Sequence, residues 1–330
     1  MFVALRDLRF AKGRFALMGV VIVLVTLLVG LLSGLTAGLQ RQNVSAITDL
    51  PADHIVFDGL SYSDSTITEE QRRTWAATPG VLLAEPLSIS TTKATAGSRS
   101  TAVTVFGTKN VDEHSVTLSA PAAEELEAQV GDKITLAGKT LTVARVRGDA
   151  YFSHTPVVWT SLTTPATVIA LKTENADIAA ADAIAGTRTV TKADSLQAIG
   201  SYRSENGSLQ LMRGFLFVIS ALVIGAFFTV WTIQRSADIA VLKALGTSTA
   251  TLLGDALGQA LVLLITGTAI GTALAAAIGT AVRDTVPFLL EPATVLTPAA
   301  TTVLLGALGA ALAVRRVVTV DPLTALGSVR

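Results

Sequence analysis

No cysteine occurs in the 330 residues, which excludes disulfides and thiolate metal sites. Histidine is nearly as scarce: His54, His114 and His154 are the only three, too far apart for a local zinc pattern. Charged residues make up 15% of the chain and cancel to a formal net charge of zero. Neither an acidic nor a basic partner is favoured by that balance, and no nucleic-acid partner is expected. A phosphate loop of the Gly-x-x-x-x-Gly-Lys-Ser/Thr kind is also missing. Gly138-Lys139-Thr140 supplies its last three letters, but Lys133 stands where the first glycine is required. The chain is therefore expected to hold no nucleotide itself.

What is abundant is apolar. Half the residues are hydrophobic and the mean hydropathy is +0.57, which argues against an ordinary soluble globule. Four runs approach or exceed the roughly 20 residues a helix needs to cross a bilayer. They are residues 15–39, 209–233, 251–282 and 298–314, the third long enough to tilt or to extend past the membrane. Arg6, Arg9, Lys12 and Arg14 precede the first, Arg235 and Lys243 follow the second, and Arg315, Arg316 and Arg330 follow the fourth. The excess of positive charge places segments 1–14, 234–250 and 315–330 in the cytoplasm. Residues 40–208 and the loop 283–297 then lie outside. The first run is too long for a signal peptide and lacks a prompt small-residue cleavage site, so it reads as an uncleaved anchor. The expected fold class is an α-helical membrane protein with four transmembrane helices and an α+β extracytoplasmic domain inserted between helices 1 and 2.

Within 40–208, His54 to Asp58 and Thr101 to Phe106 are β-branched and aromatic runs bounded by turn residues. Pro121 opens a helical spacing of Ala, Glu and Leu to Val130. Strands at 133–136 and 140–146 flank a turn at Gly138, and alanine density predicts a helix over 177–185. Asn43-Val44-Ser45 and Asn206-Gly207-Ser208 match the glycosylation sequon without other support for a secretory context.

Residues 235–247, Arg-Ser-Ala-Asp-Ile-Ala-Val-Leu-Lys-Ala-Leu-Gly-Thr, form a short charged segment between two apolar runs. Ile239, Leu242 and Leu245 recur at helical spacing, Asp238 and Lys243 mark another side, and Gly246 supplies a stop. That pattern predicts a helix at the inner membrane surface, offered to a cytoplasmic partner.

Two features near the membrane's outer side are open to more than one reading. Gly30, Gly34 and Gly38 stand four apart in the first run, a flat stripe suited to close helix packing or to a smooth wall for a flat ligand. At the start of the second run, Glu205, Leu209 and Met212 share a helix face, with Tyr202 one turn earlier and Arg213 deeper. These residues fit an interfacial cap with snorkelling arginines. They fit equally a metal-porphyrin site, since carboxylate, tyrosinate and thioether groups ligate haem iron and arginines hold propionates.

One span, a large outer domain and three further spans, with a charged helix after the second, resemble the permease subunits of MacB/FtsX-type ABC transporters. The segment from Thr232 to Thr247 looks like that family's coupling helix, with Asp238 for the commoner Glu and Ala240 for the commoner Gly. The tail Asp321-Pro-Leu-Thr-Ala-Leu326 is similar to the family's Asp-Pro-x-x-Ala-Leu ending. The resemblance implies a homodimer in the bacterial cytoplasmic membrane, with both termini cytoplasmic. It also implies two copies of a cytoplasmic ATPase that bind the ATP. Coupling to that ATPase falls to Arg235, Asp238, Ile239, Leu242, Lys243, Leu245 and Gly246. Ser153-His-Thr-Pro-Val-Val-Trp-Thr160 further looks like the outer domain of the family's Gram-positive haem-efflux branch. That branch implies capture of haem from the outer leaflet and its expulsion. Glu205 is then the candidate iron ligand, and Tyr202, Leu209, Met212, Arg213, Gly30, Gly34 and Gly38 are pocket candidates, in contact with membrane lipid. Export of a peptide, antibiotic or lipoprotein, and FtsX-like signalling to a cell-wall hydrolase, are the alternatives.

Overall fold

The computed structural model describes residues 12–163, 165–234, 241, 246–283 and 285–318. The chain divides into two compact units, one made of Leu39–Ser208 and the other of the helical segments on either side of it.

Four long helices supply the second of these units: α1 (Lys12–Thr48), α6 (Gly200–Gln234), α7 (Thr249–Val282) and α8 (Pro292–Val318). All four are long and apolar enough to cross a membrane. Leu24, Leu28, Leu222, Ile265 and Leu312 are each more than half exposed, a surface that suits hydrocarbon rather than water. α1 and α6 continue into the inserted unit, so both helices outrun the apolar runs that signalled them. α8 begins at Pro292 rather than at 298, because Pro292 suits a first helical position and Pro298 is carried within the helix. Ser248 caps α7 by accepting from the Thr251 amide at 3.2 Å.

Helices in this unit approach closely where glycine permits. A methyl group on Gly267 would fall 2.7 Å from Ile22 Cγ2, and one on Gly271 2.7 Å from the Val23 carbonyl of α1. Gly309 of α8 and Gly225 of α6 face one another in the same way, with 3.3 Å from such a methyl on Gly309 to the Gly225 Cα. Met18, Ile22, Ile224, Phe228, Trp231 and Leu264 fill the remaining core.

The inserted unit is β-rich. Its elements are β1 (His54–Phe57), α2 (Glu69–Ala77), β2 (Val81–Ala96), β3 (Arg99–Thr108), β4 (Ser115–Leu118), α3 (Ala120–Leu126), β5 (Lys133–Leu136) and β6 (Lys139–Val146). They continue with β7 (Tyr151–Phe152), β8 (Thr155–Ser161), β9 (Val168–Thr173), α4 (Ile178–Ala185), β10 (Arg188–Thr191) and α5 (Lys192–Ser195). The strand order is β10-β1-β9-β2-β3-β8-β4-β6-β5, with β7 paired to β8. β2 is long enough to serve two sheets: Val81 to Leu87 pair with β9, and Ser88 to Ala96 pair with β3. Its far end also meets β5 at Ala94 and Thr95, which closes six strands around Val103, Leu118, Leu126, Ile134 and Val158.

Local chemistry explains the short helices. Thr68 and Gln71 form a reciprocal capping box on α2, Ser119 caps α3, and Asp177 caps α4. Ala137 and Gly138 both have positive φ in the two-residue β5–β6 turn, the conformation that glycine at 138 favours. α3 stops at Leu126 rather than Val130 because Glu127 turns left-handed and its amide bonds back to Ala123 and Glu124.

Candidate functional site

The expected ligand, Glu205, lies in the first turns of α6. Its partner comes from a tight turn between β7 and β8, where Phe152 pairs with Thr155 and Ser153 and His154 lie at the tip. Both tip residues are left-handed, with φ of +51° and +63°, an unfavourable setting for side chains bearing a Cβ. Their amides hold them there. Ser153 N donates to the Asn43 carbonyl at 2.9 Å, and His154 N to the Gln42 carbonyl at 3.0 Å. The turn is thus fixed against the C-terminal part of α1.

Side chains complete the cluster. His154 Nε2 lies 2.8 Å from Glu205 Oε2. Asn43 Nδ2 donates to the same carboxylate oxygen at 3.3 Å, while Asn43 Oδ1 accepts from Ser201 Oγ at 2.6 Å. Ser153 Oγ and Ser201 Oγ are 2.8 Å apart. A proton on Nε2 lets the imidazole donate to the carboxylate, and the Asn43 amide nitrogen also lies 3.2 Å from that ring nitrogen. Asn43 is buried at 1% exposure, whereas the His154 and Glu205 side chains keep 31% and 43% of theirs. The result is a carboxylate and an imidazole, both partly accessible, oriented by a buried amide.

Tyr202 is in the same unit, but its ring packs into the core with Ile47, Phe57 and Phe152. Its hydroxyl accepts from Gln40 Nε2 at 3.1 Å, so it serves as a packing and hydrogen-bonding residue rather than an open ligand.

The glycine stripe departs from the open-wall reading. A methyl group on Gly34 would fall 2.2 Å from Phe288 Cζ, and one on Gly38 only 1.9 Å from the Pro287 carbonyl oxygen. Gly30 faces Ala275 of α7, and Leu289 N donates to the Gly34 carbonyl at 3.1 Å. Gly30, Gly34 and Gly38 are therefore covered by the chain's own α7 and α7–α8 connection. The same Phe288 ring also lies on Gly279 of α7.

Leu209, Met212 and Arg213 belong to the membrane-helix unit. Leu209 is half-buried, Met212 is exposed, and Arg213 Nε is buried without a hydrogen-bond partner among the described residues. Of the expected coupling residues, Arg235, Asp238, Ile239, Leu242, Lys243 and Leu245 lie outside the described residues, as does the 321–326 tail. Gly246 is described, and its φ of +91° is one that glycine tolerates.

The sequence pattern does not single out Asn43 or His154: Asn43 matches only a sequon, and His154 is one of three dispersed histidines. The visible signal was the Ser153-His154 pair between two apolar β-type runs.

Residues 211–322 match the model of the FtsX-like permease C-terminal family. Over 353 aligned positions the chain is 25% identical to a Staphylococcus haemolyticus protein bearing the name hemin transport system permease protein HrtB, covering 98% of each. A Staphylococcus epidermidis protein of the same name is 28% identical over 144 residues, 44% of this chain and 41% of that protein. Among solved structures, the extracellular domain of the noncanonic ABC-type transporter YknZ from Gram-positive bacteria aligns with a TM-score of 0.34 at 14% identity. That alignment covers 42% of this chain and 98% of the domain. The periplasmic region of MacB from Actinobacillus actinomycetemcomitans gives a TM-score of 0.35 at 12% identity, covering 45% and 92%.

Proposed function

We propose that this chain, which carries an FtsX-like permease domain at residues 211–322, is the membrane subunit of an ABC-type pump that expels haem. The permease likeness supports a non-catalytic role in a multi-pass membrane protein. The name of the relative aligned over 98% of the chain supports haem as the cargo. In this reading two copies pair with each other and with two cytoplasmic ATPase subunits. The inserted unit faces outward and both termini face the cytoplasm. The 235–247 segment receives the push of ATP-driven closure.

The observation that carries the site is the 2.8 Å pair of Glu205 and His154 under Asn43. Oxygen and nitrogen donors both ligate haem iron, and this pair offers one of each. Iron taken by either group competes with their mutual hydrogen bond, so binding exchanges one partner for another rather than leaving a charge unpaired. Two arrangements of the pair, with and without haem, are what an ATP-driven change biases. The covered glycines have no part in this site.

The test is a hemin titration of the full-length protein, followed by absorption, beside ATP hydrolysis by the reconstituted complex. Glu205→Ala is expected to weaken hemin binding by about tenfold or more, the usual effect of losing a contact to a charged group, and to abolish hemin-stimulated hydrolysis. An unchanged titration in that variant removes Glu205 from the site. Stimulation of hydrolysis by a peptide but not by hemin overturns the cargo.

A further inference from the structure

A second place in the inserted unit has the makings of a binding site. A cleft of about 470 Å³ opens between β2, the β3–β4 connection, and residues 145–150. That volume falls within the range of small-molecule pockets, roughly 300–1,000 Å³. Leu87, Ala150 and Ala46 give it an apolar floor, and Trp159 stands in its wall.

A donor and acceptor inventory indicates what it would hold. Three acids and two arginines reach the cleft. The acids are engaged. Asp149 accepts both a 3.1 Å and a 2.9 Å bond from Arg41, and the same guanidinium lies 3.9 Å from Asp49. Glu85 accepts from Asn110 Nδ2 at 2.9 Å. Arg41 also holds the Asp149 carboxyl below its usual pKa, so it stays ionised and acceptor-only.

The arginines are the opposite case. Arg145 and Arg147 are two residues apart on one extended stretch, both exposed, and neither enters an ion pair among the described residues. Arg147 lies over the Trp159 ring, with its Cζ 4.8 Å from the centroid. The ring holds the cation in place, and among the described residues no side-chain hydrogen bond engages the guanidinium N–H groups that can meet a carboxylate through two parallel bonds. The cleft thus combines acids that already have partners, arginines without an ion pair among the described residues, and an apolar floor.

We propose that this cleft binds an organic acid with a flat apolar body, its carboxylate received by Arg147 and Arg145. The site is separate from the Glu205–His154 pair and does not rest on the identity of the transported molecule.

Naphthalene-2-carboxylate is the probe, titrated calorimetrically into the full-length protein in detergent, with naphthalene-2-carboxamide as its neutral match. The acid is expected to bind saturably and the amide about tenfold or more weaker, since charge-assisted bonds to the fork are lost. Arg147→Gln with Arg145→Gln, both at exposed positions that leave the fold intact, should bring the acid down to the level of the amide. Equal binding of acid and amide, no saturable binding, or an unaltered acid titration in the double variant each overturns the proposal.

Discussion

The two units hold themselves together by different means. In the inserted unit large side chains are buried whole: Trp75, Phe57, Phe106, Leu118 and Ile169 are all at 1% exposure or less. Among the membrane helices, large apolar residues such as Leu222 and Leu312 point outward, and glycines occupy several of the closest contacts. The difference follows from the solvent. Water drives bulky groups inward, whereas lipid is as apolar as leucine and leaves shape and close backbone approach to hold helices together. A glycine stripe in such a chain is therefore first a packing device, and the Pro287–Phe288 contact shows which element it packs.

That contrast is open to attack by substitution, and the largest effect belongs to the inserted unit. Trp75 has no exposed surface, and its Nε1 donates to Thr187 Oγ1 at 3.0 Å. Trp75→Ala is expected to cost about 3–5 kcal/mol of that unit's stability in denaturant unfolding. Leu222→Ala, on an outward face, should cost less than about 0.5 kcal/mol. Equal losses would erase the distinction. Next come the glycines. Gly38→Ala forces a methyl group against the Pro287 carbonyl and should destabilise by about 1–3 kcal/mol in thermal unfolding. Gly254→Ala and Gly258→Ala, with nothing within 4 Å among the described residues, should be neutral or stabilising by up to about 1 kcal/mol. The opposite sign of these effects is the sharper check.

Smaller effects belong to the caps and surface pairs of the inserted unit. Ser119, buried and accepting from the Ala122 amide at 3.3 Å, should cost about 1 kcal/mol as Ser119→Ala, read by the shift in melting temperature. Smallest is the pH dependence of Asp149. Arg41 depresses its folded pKa, so its contribution is present above the ordinary carboxylate range and is lost as pH falls through the depressed value. The pair is well exposed, so about 0.5 kcal/mol is at stake. Arg41→Gln should lose correspondingly less stability than the parent between pH 5 and about 3, when the two melting curves are compared.

Much of the fold was legible because it is written locally. Apolar runs of about bilayer length or more announced the four helices, Gly138 announced its turn, and Asp177 closed the start of the 178–185 helix. The six-strand closure was not legible, since β2 meets β5 at two residues distant in sequence and no local pattern encodes that pairing. The site divides in the same way. Glu205 stood out as an acid beside an apolar run, where it needs a partner. That partner, His154, is contributed by a turn 51 positions away, and Asn43 by α1, a juxtaposition only tertiary structure creates. The glycine spacing was equally visible, but spacing alone does not say what covers a stripe; Phe288 does.

The central claim is that the cargo site is the Glu205–His154 cluster and not the glycine stripe under Phe288. Parallel hemin titrations of full-length Glu205→Ala and Phe288→Ala test it most directly. The account predicts that Glu205→Ala weakens hemin binding by about tenfold or more. It predicts that Phe288→Ala, which uncovers Gly34 and Gly279, leaves the affinity and absorption spectrum unchanged. Loss of binding in Phe288→Ala, with retention in Glu205→Ala, would contradict it.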